Sequence, residues 1–289
     1  MDPFFYVTSP LILRGWKENL MKSFRLLGVL FLTFALFSCS QKTTTTEKTP
    51  SLIDGIVKRG ELQVGLNAGY FPFEVQTSKG SIVGLDVALA EEMAKELGVK
   101  LKVVNTAWDG IIPSLMTNKF DMVISGMTIT LERAQKVAFS DPYFYTGQSV
   151  LLKKSHQGKI TDILQMNSPN YTVAVMLGTT GQFAVEKMLP KSTIKVFKQE
   201  ADGATEVVRG RADAFVFDQP MVLQFYRKFG ENKVALLKEP FTYEPLGIAV
   251  RRGDPDAIFW LNHFVRQIKG DGRLQAMVDK YMNTTDWAN

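Results

Sequence analysis

From Ser51 onward, short apolar runs alternate with amphipathic segments, and this alternation limits the folds that the chain can adopt. Apolar runs predict strands at 62–66, 101–104, 122–124, 148–152, 173–175, 194–196 and 214–217. Helical spacing predicts helices between Ser51 and Gly60 and at 85–97, 110–118, 182–188 and 204–209. Alternating β and α units are typical of α/β domains with largely parallel sheets.

The amino-acid composition excludes several classes of function for this chain. The chain has 289 residues, 45% of them hydrophobic, which suits about two domains with real cores. The single Cys, Cys39, excludes a disulfide within the chain and a Cys-based zinc cluster, and two His leave little room for a metal site. The formal net charge is +5 with no long basic stripe, so nucleic acid is a poor candidate partner. We expect neither a metal nor a cofactor.

The sequence pattern of the N-terminal region is typical of a targeting segment. A basic stretch at 21–25 precedes about a dozen uncharged apolar positions, too few to cross a bilayer core of ~30 Å as a helix. The tetrad 36–39 resembles a bacterial lipobox, although Phe37 is bulkier than usual there. We therefore predict a signal peptide at 1–38 (with 1–20 a mis-assigned start), lipidation of Cys39 and a Thr-rich tether at 39–50. The alternative is a buried free Cys in a short apolar helix.

Residues 125–133 are the most informative stretch for chemistry. They follow a predicted buried strand and open a helix, with Thr130 at the N-cap and Arg133 in the first turn. The positive charge of an arginine there is unfavourable beside the positive end of the helix dipole. Its guanidinium can instead form two parallel hydrogen bonds with a carboxylate that lies next to free backbone N–H groups. By spacing alone, a surface ion pair with Glu132 or Asp121 fits equally well.

Two further sites lie where strands end. Residues 178–181, between a strand and a helix, offer N–H groups and two hydroxyls to an anion, or form an ordinary capped turn. Asp218 follows a strand at the edge where open α/β sheets bind ligands. It equally suits an N-cap, with Pro220 near the helix start. Tyr70, Phe71, Phe73 and Trp108 are loop aromatics that suit ligand walls or core edges.

Several motifs in register carry a family resemblance. They are residues 67–74, 84–90, 109–115, 121–133, 139–141, 178–180 and 210–214, followed by Asp218. From about residue 53 to 282, the chain resembles the polar amino-acid-binding proteins of ABC importers (bacterial extracellular solute-binding proteins, family 3). The resemblance implies the α/β type II periplasmic binding fold, with two mainly parallel lobes joined by two hinge strands. The lobes would comprise 51–147 with 242–289, and 148–241; the hinges would fall at 140–147 and 239–247.

The resemblance also implies a division of roles at the site. Arg133 would clamp the ligand α-carboxylate, and Asp218 would receive the α-ammonium. The rest of the carboxylate-binding site would be formed by Thr128, Ser125, Gly126, Thr179 and Thr180. The pocket for the ligand side chain would be formed by Asn67, Tyr70, Trp108 and Met176. Asn67 stands where several relatives carry an acid, and Met176 where others have Lys or Leu. Because no further acid or base is evident, a neutral or polar uncharged L-amino acid is predicted.

The resemblance implies a monomeric, extracytoplasmic lipoprotein, in the periplasm or at the cell surface, that serves an ABC permease and is not an enzyme. Two alternatives stay open. One is a cyclohexadienyl dehydratase-like enzyme acting on prephenate or arogenate, which requires a general acid beside the carboxylate clamp. The other is a periplasmic amino-acid sensor on the same fold.

Overall fold

The computed structural model describes residues 50–237 and 239–283. The strands are β1 (Glu61–Leu66), β2 (Val75–Gln76), β3 (Ile82–Val83), β4 (Lys100–Asn105), β5 (Met122–Val123), β6 (Val137–Phe139), β7 (Phe144–Thr146), β8 (Gln148–Lys153), β9 (Thr172–Met176), β10 (Thr193–Phe197), β11 (Ala214–Asp218), β12 (Val234–Leu236), β13 (Glu244–Leu246) and β14 (Ala249–Arg251).

The helices lie between them and after the last strand. They are α1 (Leu52–Arg59), α2 (Leu85–Glu96), α3 (Trp108–Met116), α4 (Leu131–Ala134), α5 (Thr180–Met188), α6 (Glu200–Val208), α7 (Gln219–Phe229), α8 (Pro255–Gly270) and α9 (Arg273–Asn283), with single 3-10 turns at Lys154–His156 and Ile163–Met166. Within the described residues, no helix combines the length and apolar character needed to cross a membrane.

Two five-stranded sheets form the framework. The first has the order β4-β1-β5-β14-β6 and the second has the order β10-β9-β11-β8-β12. The strands nearest the centre are the most apolar; all five residues of β11 are buried. Helices that follow the strands cover the sheets, so the α/β prediction is confirmed.

The prediction that each sheet is mainly parallel is confirmed, and each sheet also contains one antiparallel strand. Four of the five strands in each sheet run in the same direction. The reversed strand is β14 in the first sheet, which is antiparallel to β5 and β6, and β8 in the second, which is antiparallel to β11 and β12. The reason is connectivity. β8 and β14 enter their sheets directly from a preceding strand, without the helical crossover that a parallel neighbour requires.

Those preceding strands pair with each other. β7 and β13 are antiparallel, with Thr146 opposite Glu244 and Phe144 opposite Leu246. β7 leads through Gly147 into β8 of the second sheet, and β13 leads into β14 of the first. The chain thus passes from one sheet to the other and back through one strand pair, within segments rich in Pro, Gly and aromatic residues. The predicted lobe boundaries themselves stay a prediction.

Candidate functional site

One pocket lies where the strand and helix ends of the two sheets meet. The space between its side chains, including its open mouth, amounts to about 410 Å³. It is lined by Asn67, Tyr70, Glu74, Trp108, Ser125, Gly126, Thr128, Arg133, Gln148, Met176, Thr179, Thr180, Glu200, Phe217 and Asp218. Most of these residues follow a strand or begin a helix, which is where α/β sheets place ligands.

Arg133 supplies a buried positive charge. Thr130 caps α4 as expected, because its hydroxyl accepts the Arg133 backbone N–H at 3.1 Å. Arg133 is 8% exposed, and its guanidinium donates to the Thr128 carbonyl at 2.9 Å and to the Gly178 carbonyl at 3.3 Å. It also lies over the Trp108 ring, 5.3 Å from its centroid.

No carboxylate among the described residues lies within ion-pair distance of the Arg133 guanidinium. Burial lowers the pKa of Arg133, and the more distant charges of Glu244 and Asp218 oppose this effect. A buried guanidinium that has only carbonyl partners is suited to bind an anion, and its fork fits a carboxylate. The alternative of a surface ion pair with Glu132 or Asp121 therefore does not hold, and Asp121 instead pairs with Arg59.

Asp218 supplies an acid from the second sheet. It ends β11, is 6% exposed, and does not cap α7 with its side chain. Its two oxygens accept hydrogen bonds from the Tyr70 hydroxyl and the Gln148 amide. Burial raises the pKa of Asp218 to about 7, against the lowering effect of the Tyr70 hydrogen bond. Because Tyr70 follows β1 of the first sheet, this contact links the two sheets across the pocket.

The floor of the pocket requires glycine at position 126. Gly126 has φ of 48°, and a Cβ there would lie 2.2 Å from the Tyr70 ring. Both conditions exclude a larger residue. The absence of a side chain exposes the backbone of the loop after β5 to the pocket, next to Ser125 and Thr128.

Two acids in the pocket were missed from the sequence. Glu74 is fully buried and Glu200 is 5% exposed. Glu200 is the first residue of α6, which begins four residues earlier than the predicted helix at 204–209. The loop that carries Gly69 lies so close that a Cβ on Gly69 would be 2.6 Å from a Glu200 oxygen. Burial raises the pKa of Glu200.

The sequence pattern that could have identified Glu200 is a helix start shortly after a strand. The same pattern identified residues 178–181 as a candidate site. Gln148, the first residue of β8, and Phe217, which precedes the last residue of β11, were missed too. The neutral-ligand prediction rested in part on the absence of an acid besides Asp218. That premise is wrong, because Glu74 and Glu200 also line the pocket.

The sequence matches a known protein family. The sequence model of a protein family, the bacterial extracellular solute-binding proteins, family 3, matches residues 62–284. The chain belongs to this family. The family is extracellular, so the protein acts outside the cytoplasm.

Relatives of this solute-binding protein include the L-cystine-binding protein TcyJ of Escherichia coli, which is 31% identical over 230 residues, covering 80% of this chain and 85% of the relative. A binding component of an ABC transporter from Wolinella succinogenes, solved in complex with lysine, is 44% identical with a TM-score of 0.77, covering 79% of this chain and 98% of the other. An ancestral amino-acid-binding protein, a precursor of cyclohexadienyl dehydratase, is 47% identical with a TM-score of 0.75, covering 81% and 100%.

The structure brings together every predicted binding residue that it describes. All eleven line the same pocket: Arg133, Thr128, Ser125, Gly126, Thr179, Thr180, Asp218, Asn67, Tyr70, Trp108 and Met176. Their individual roles stay predictions. Cys39, the signal peptide at 1–38 and residues 39–49 of the tether lie outside the described residues. No group of three potential metal-binding side chains occurs in the part of the chain that the structure describes.

Proposed function

We propose that this protein captures an amino acid with a cationic side chain outside the cytoplasm and delivers it to an ABC importer. The observation that carries the proposal is a buried guanidinium and a buried carboxyl that face one pocket from different sheets. An amino-acid zwitterion entering such a pocket needs a partner for each charge, because burying either one unpaired is costly. Arg133 would pair with the α-carboxylate and Asp218 with the α-ammonium.

The charge of the lining favours a cationic side chain. Among the described residues around the pocket, Arg133 is the only base, whereas Glu74, Glu200 and Asp218 are acids. Once Arg133 and Asp218 are paired with the ligand backbone, Glu200 is left in a site with little water. A lysine or arginine side chain would neutralise it, and a neutral side chain would not. Trp108 and Tyr70 would pack against the aliphatic part of such a side chain.

The similarity to the lysine-bound Wolinella protein supports this choice. The neutral or polar uncharged amino acid predicted from the sequence remains the competing ligand class. Membrane anchoring through Cys39 and a monomeric state also belong to the proposal.

The test is a calorimetric panel of the twenty amino acids on the purified protein, repeated on Glu200→Gln and Asp202→Asn. Asp202 is an exposed acid on the same helix, so Asp202→Asn controls for a change of charge alone. L-lysine or L-arginine should bind tightest, and Glu200→Gln should weaken their binding by about 2–5 kcal/mol. Glutamine as the tightest ligand, with Glu200→Gln without effect, would reject the cationic class.

A dehydratase is the second candidate, and Glu200 is the observation that favours it. A buried carboxyl with a raised pKa beside a carboxylate clamp is the general acid that such an enzyme requires. The similarity to an ancestral precursor of cyclohexadienyl dehydratase is compatible with this chemistry. Turnover of prephenate or arogenate that Glu200→Gln abolishes would support the enzyme. Binding of L-lysine with no turnover of either compound would support the transport protein.

A further inference from the structure

A pair of buried carboxyl groups, of which Glu74 lines the pocket, is distinct from the clamp formed by Arg133 and Asp218. Glu74 precedes β2 and Asp86 is the second residue of α2; neither is exposed to solvent. One oxygen of each, Glu74 Oε2 and Asp86 Oδ1, has no hydrogen-bond donor. The Asp86 backbone N–H donates to the Phe73 carbonyl at 2.9 Å, directly before Glu74, so the two side chains start from neighbouring backbone. A proton carried by one carboxyl group and donated to the other would satisfy both oxygens.

The remaining oxygens hold the pocket floor. Glu74 Oε1 accepts the Ser125 hydroxyl at 2.5 Å. Asp86 Oδ2 accepts the Gly126 backbone N–H at 2.6 Å and the Tyr143 hydroxyl at 3.0 Å. Ser125 in turn accepts the Asn67 backbone N–H at 3.0 Å. Two consecutive lining residues are therefore fixed by one carboxyl pair.

The charges around the pair do not compensate two negative groups. Within the described part of the chain, the other titratable groups that interact with Glu74 and Asp86 are Tyr70, Tyr143 and Glu200, and none of these is a cation. Burial and the Asp86 charge raise the pKa of Glu74 well above its usual value. Burial raises the pKa of Asp86 to about 6, although two donors stabilise its ionised form. With two donors on Asp86 and one on Glu74, the proton belongs on Glu74.

We propose that Glu74 and Asp86 share a single proton, carried by Glu74, and act together as positioning residues that fix Ser125 and Gly126 in the binding pocket. The inference rests on the proposed function only in assuming that Ser125 and Gly126 contact the bound ligand. Two ionised carboxylates in contact would repel each other and release the Ser125 and Gly126 contacts. The pair therefore makes ligand affinity depend on retaining one proton between Glu74 and Asp86.

The first test needs no ligand. Infrared spectra at pH 7 of the whole protein are compared with those of Glu74→Gln. The protein should show the C=O stretching band of a protonated carboxyl that Glu74→Gln removes, and an Asp218→Asn sample identifies any contribution from that second acid. Spectra of the protein and Glu74→Gln without such a difference would overturn the proposal. Because this readout does not require binding, it holds even if no amino acid binds.

The second test measures the positioning role with L-lysine and L-arginine as probes. Glu74→Ala removes the acceptor of Ser125 and should weaken binding at least tenfold, whereas Glu74→Gln, which mimics the protonated acid, should restore affinity to within about threefold. Affinity should also fall at alkaline pH in the parent protein and stay flat over that range in Glu74→Gln. A Glu74→Gln variant as weak as Glu74→Ala, or as sensitive to alkaline pH as the parent, would contradict the shared proton.

Discussion

Arg133 and Asp218 illustrate how burial acts oppositely on a base and an acid in one pocket. Desolvation lowers the pKa of Arg133 and raises that of Asp218 to about 7. The guanidinium retains its charge at neutral pH even so, because its ordinary pKa is far higher. Asp218 instead sits close to the midpoint of its titration. The free pocket is therefore ready to accept a carboxylate, while its acid ionises fully only at higher pH or when a cation arrives.

Removing the guanidinium should abolish most of the affinity. We expect Arg133→Ala to weaken amino-acid binding by about 3–5 kcal/mol, because the ligand carboxylate would be buried without a partner. Asp141→Ala is the matched control, since Asp141 is absent from the pocket and pairs with Arg266 at 2.8 Å. Titration calorimetry measures both variants. Equal affinities for the two would show that the carboxylate is bound elsewhere.

Ligand affinity should decline as the pH falls below about 7, the pKa of Asp218 in the free protein. A bound ammonium requires the ionised acid, so below that pKa binding must expel a proton, at a cost of up to about tenfold in affinity per pH unit. The same raised pKa means that Asp218 makes folding less favourable as the pH rises from about 4 to 7. Binding curves from pH 5 to 8 provide the measurement. Asp218→Asn should bind weakly at every pH, without this slope.

At the scale of elements, helix starts surround the pocket. Trp108 begins α3, Thr180 begins α5 and Glu200 begins α6, while Asp218 directly precedes α7. Each start orients its side chain from a short connection after a strand, so the pocket residues come from many distant parts of the chain. A helix start outside the pocket stabilises the first sheet and its helices. Asp254 caps α8 and also accepts the Leu52 backbone N–H of α1 at 2.6 Å.

Asp254→Ala should therefore destabilise the fold without affecting the pocket. Burial alone would raise the pKa of Asp254, but hydrogen bonds from Leu52, Ala257 and Ser51 lower it overall. We expect a loss of about 1–2 kcal/mol in the free energy of unfolding, measured by urea denaturation at neutral pH. A depressed pKa stabilises the fold above the unfolded value of about 4, so the difference should shrink as the pH falls below it. Glu231→Ala, at an exposed acid, should change stability by less than about 0.5 kcal/mol.

For the whole molecule, the pocket is where the two sheets contact each other. The Tyr70 hydroxyl donates to Asp218, and the Trp108 indole donates to the Gly178 carbonyl at 3.0 Å. The paired strands β7 and β13 connect the sheets on both passages of the chain. A ligand that bonds to both sheets would add to these contacts and favour the closed arrangement over an open one.

Saturating ligand should consequently raise the unfolding temperature of the whole chain. At about one hundred times the dissociation constant, binding contributes about 2.7 kcal/mol, or roughly 5–10 °C for a chain of this size. Differential scanning fluorimetry with L-lysine, L-arginine and a non-binding amino acid measures the shift. Arg133→Ala should show almost none at the same concentration. A shift of the same size in that variant would indicate binding outside the pocket.

The sequence by itself determined the α/β class, the helix that Thr130 caps, and the positions of Arg133 and Asp218 beside element ends. These are local properties, because periodicity, capping and strand ends are encoded within a few neighbouring residues. The tertiary structure alone decided the direction of β8 and β14, the hydrogen bond from Tyr70 to Asp218, and the presence of Glu74 and Glu200 in the pocket. The physical reason is that these features depend on contacts between residues far apart in the chain. An acid such as Glu200 changes the charge that a pocket selects only when packing brings it there and removes the water around it.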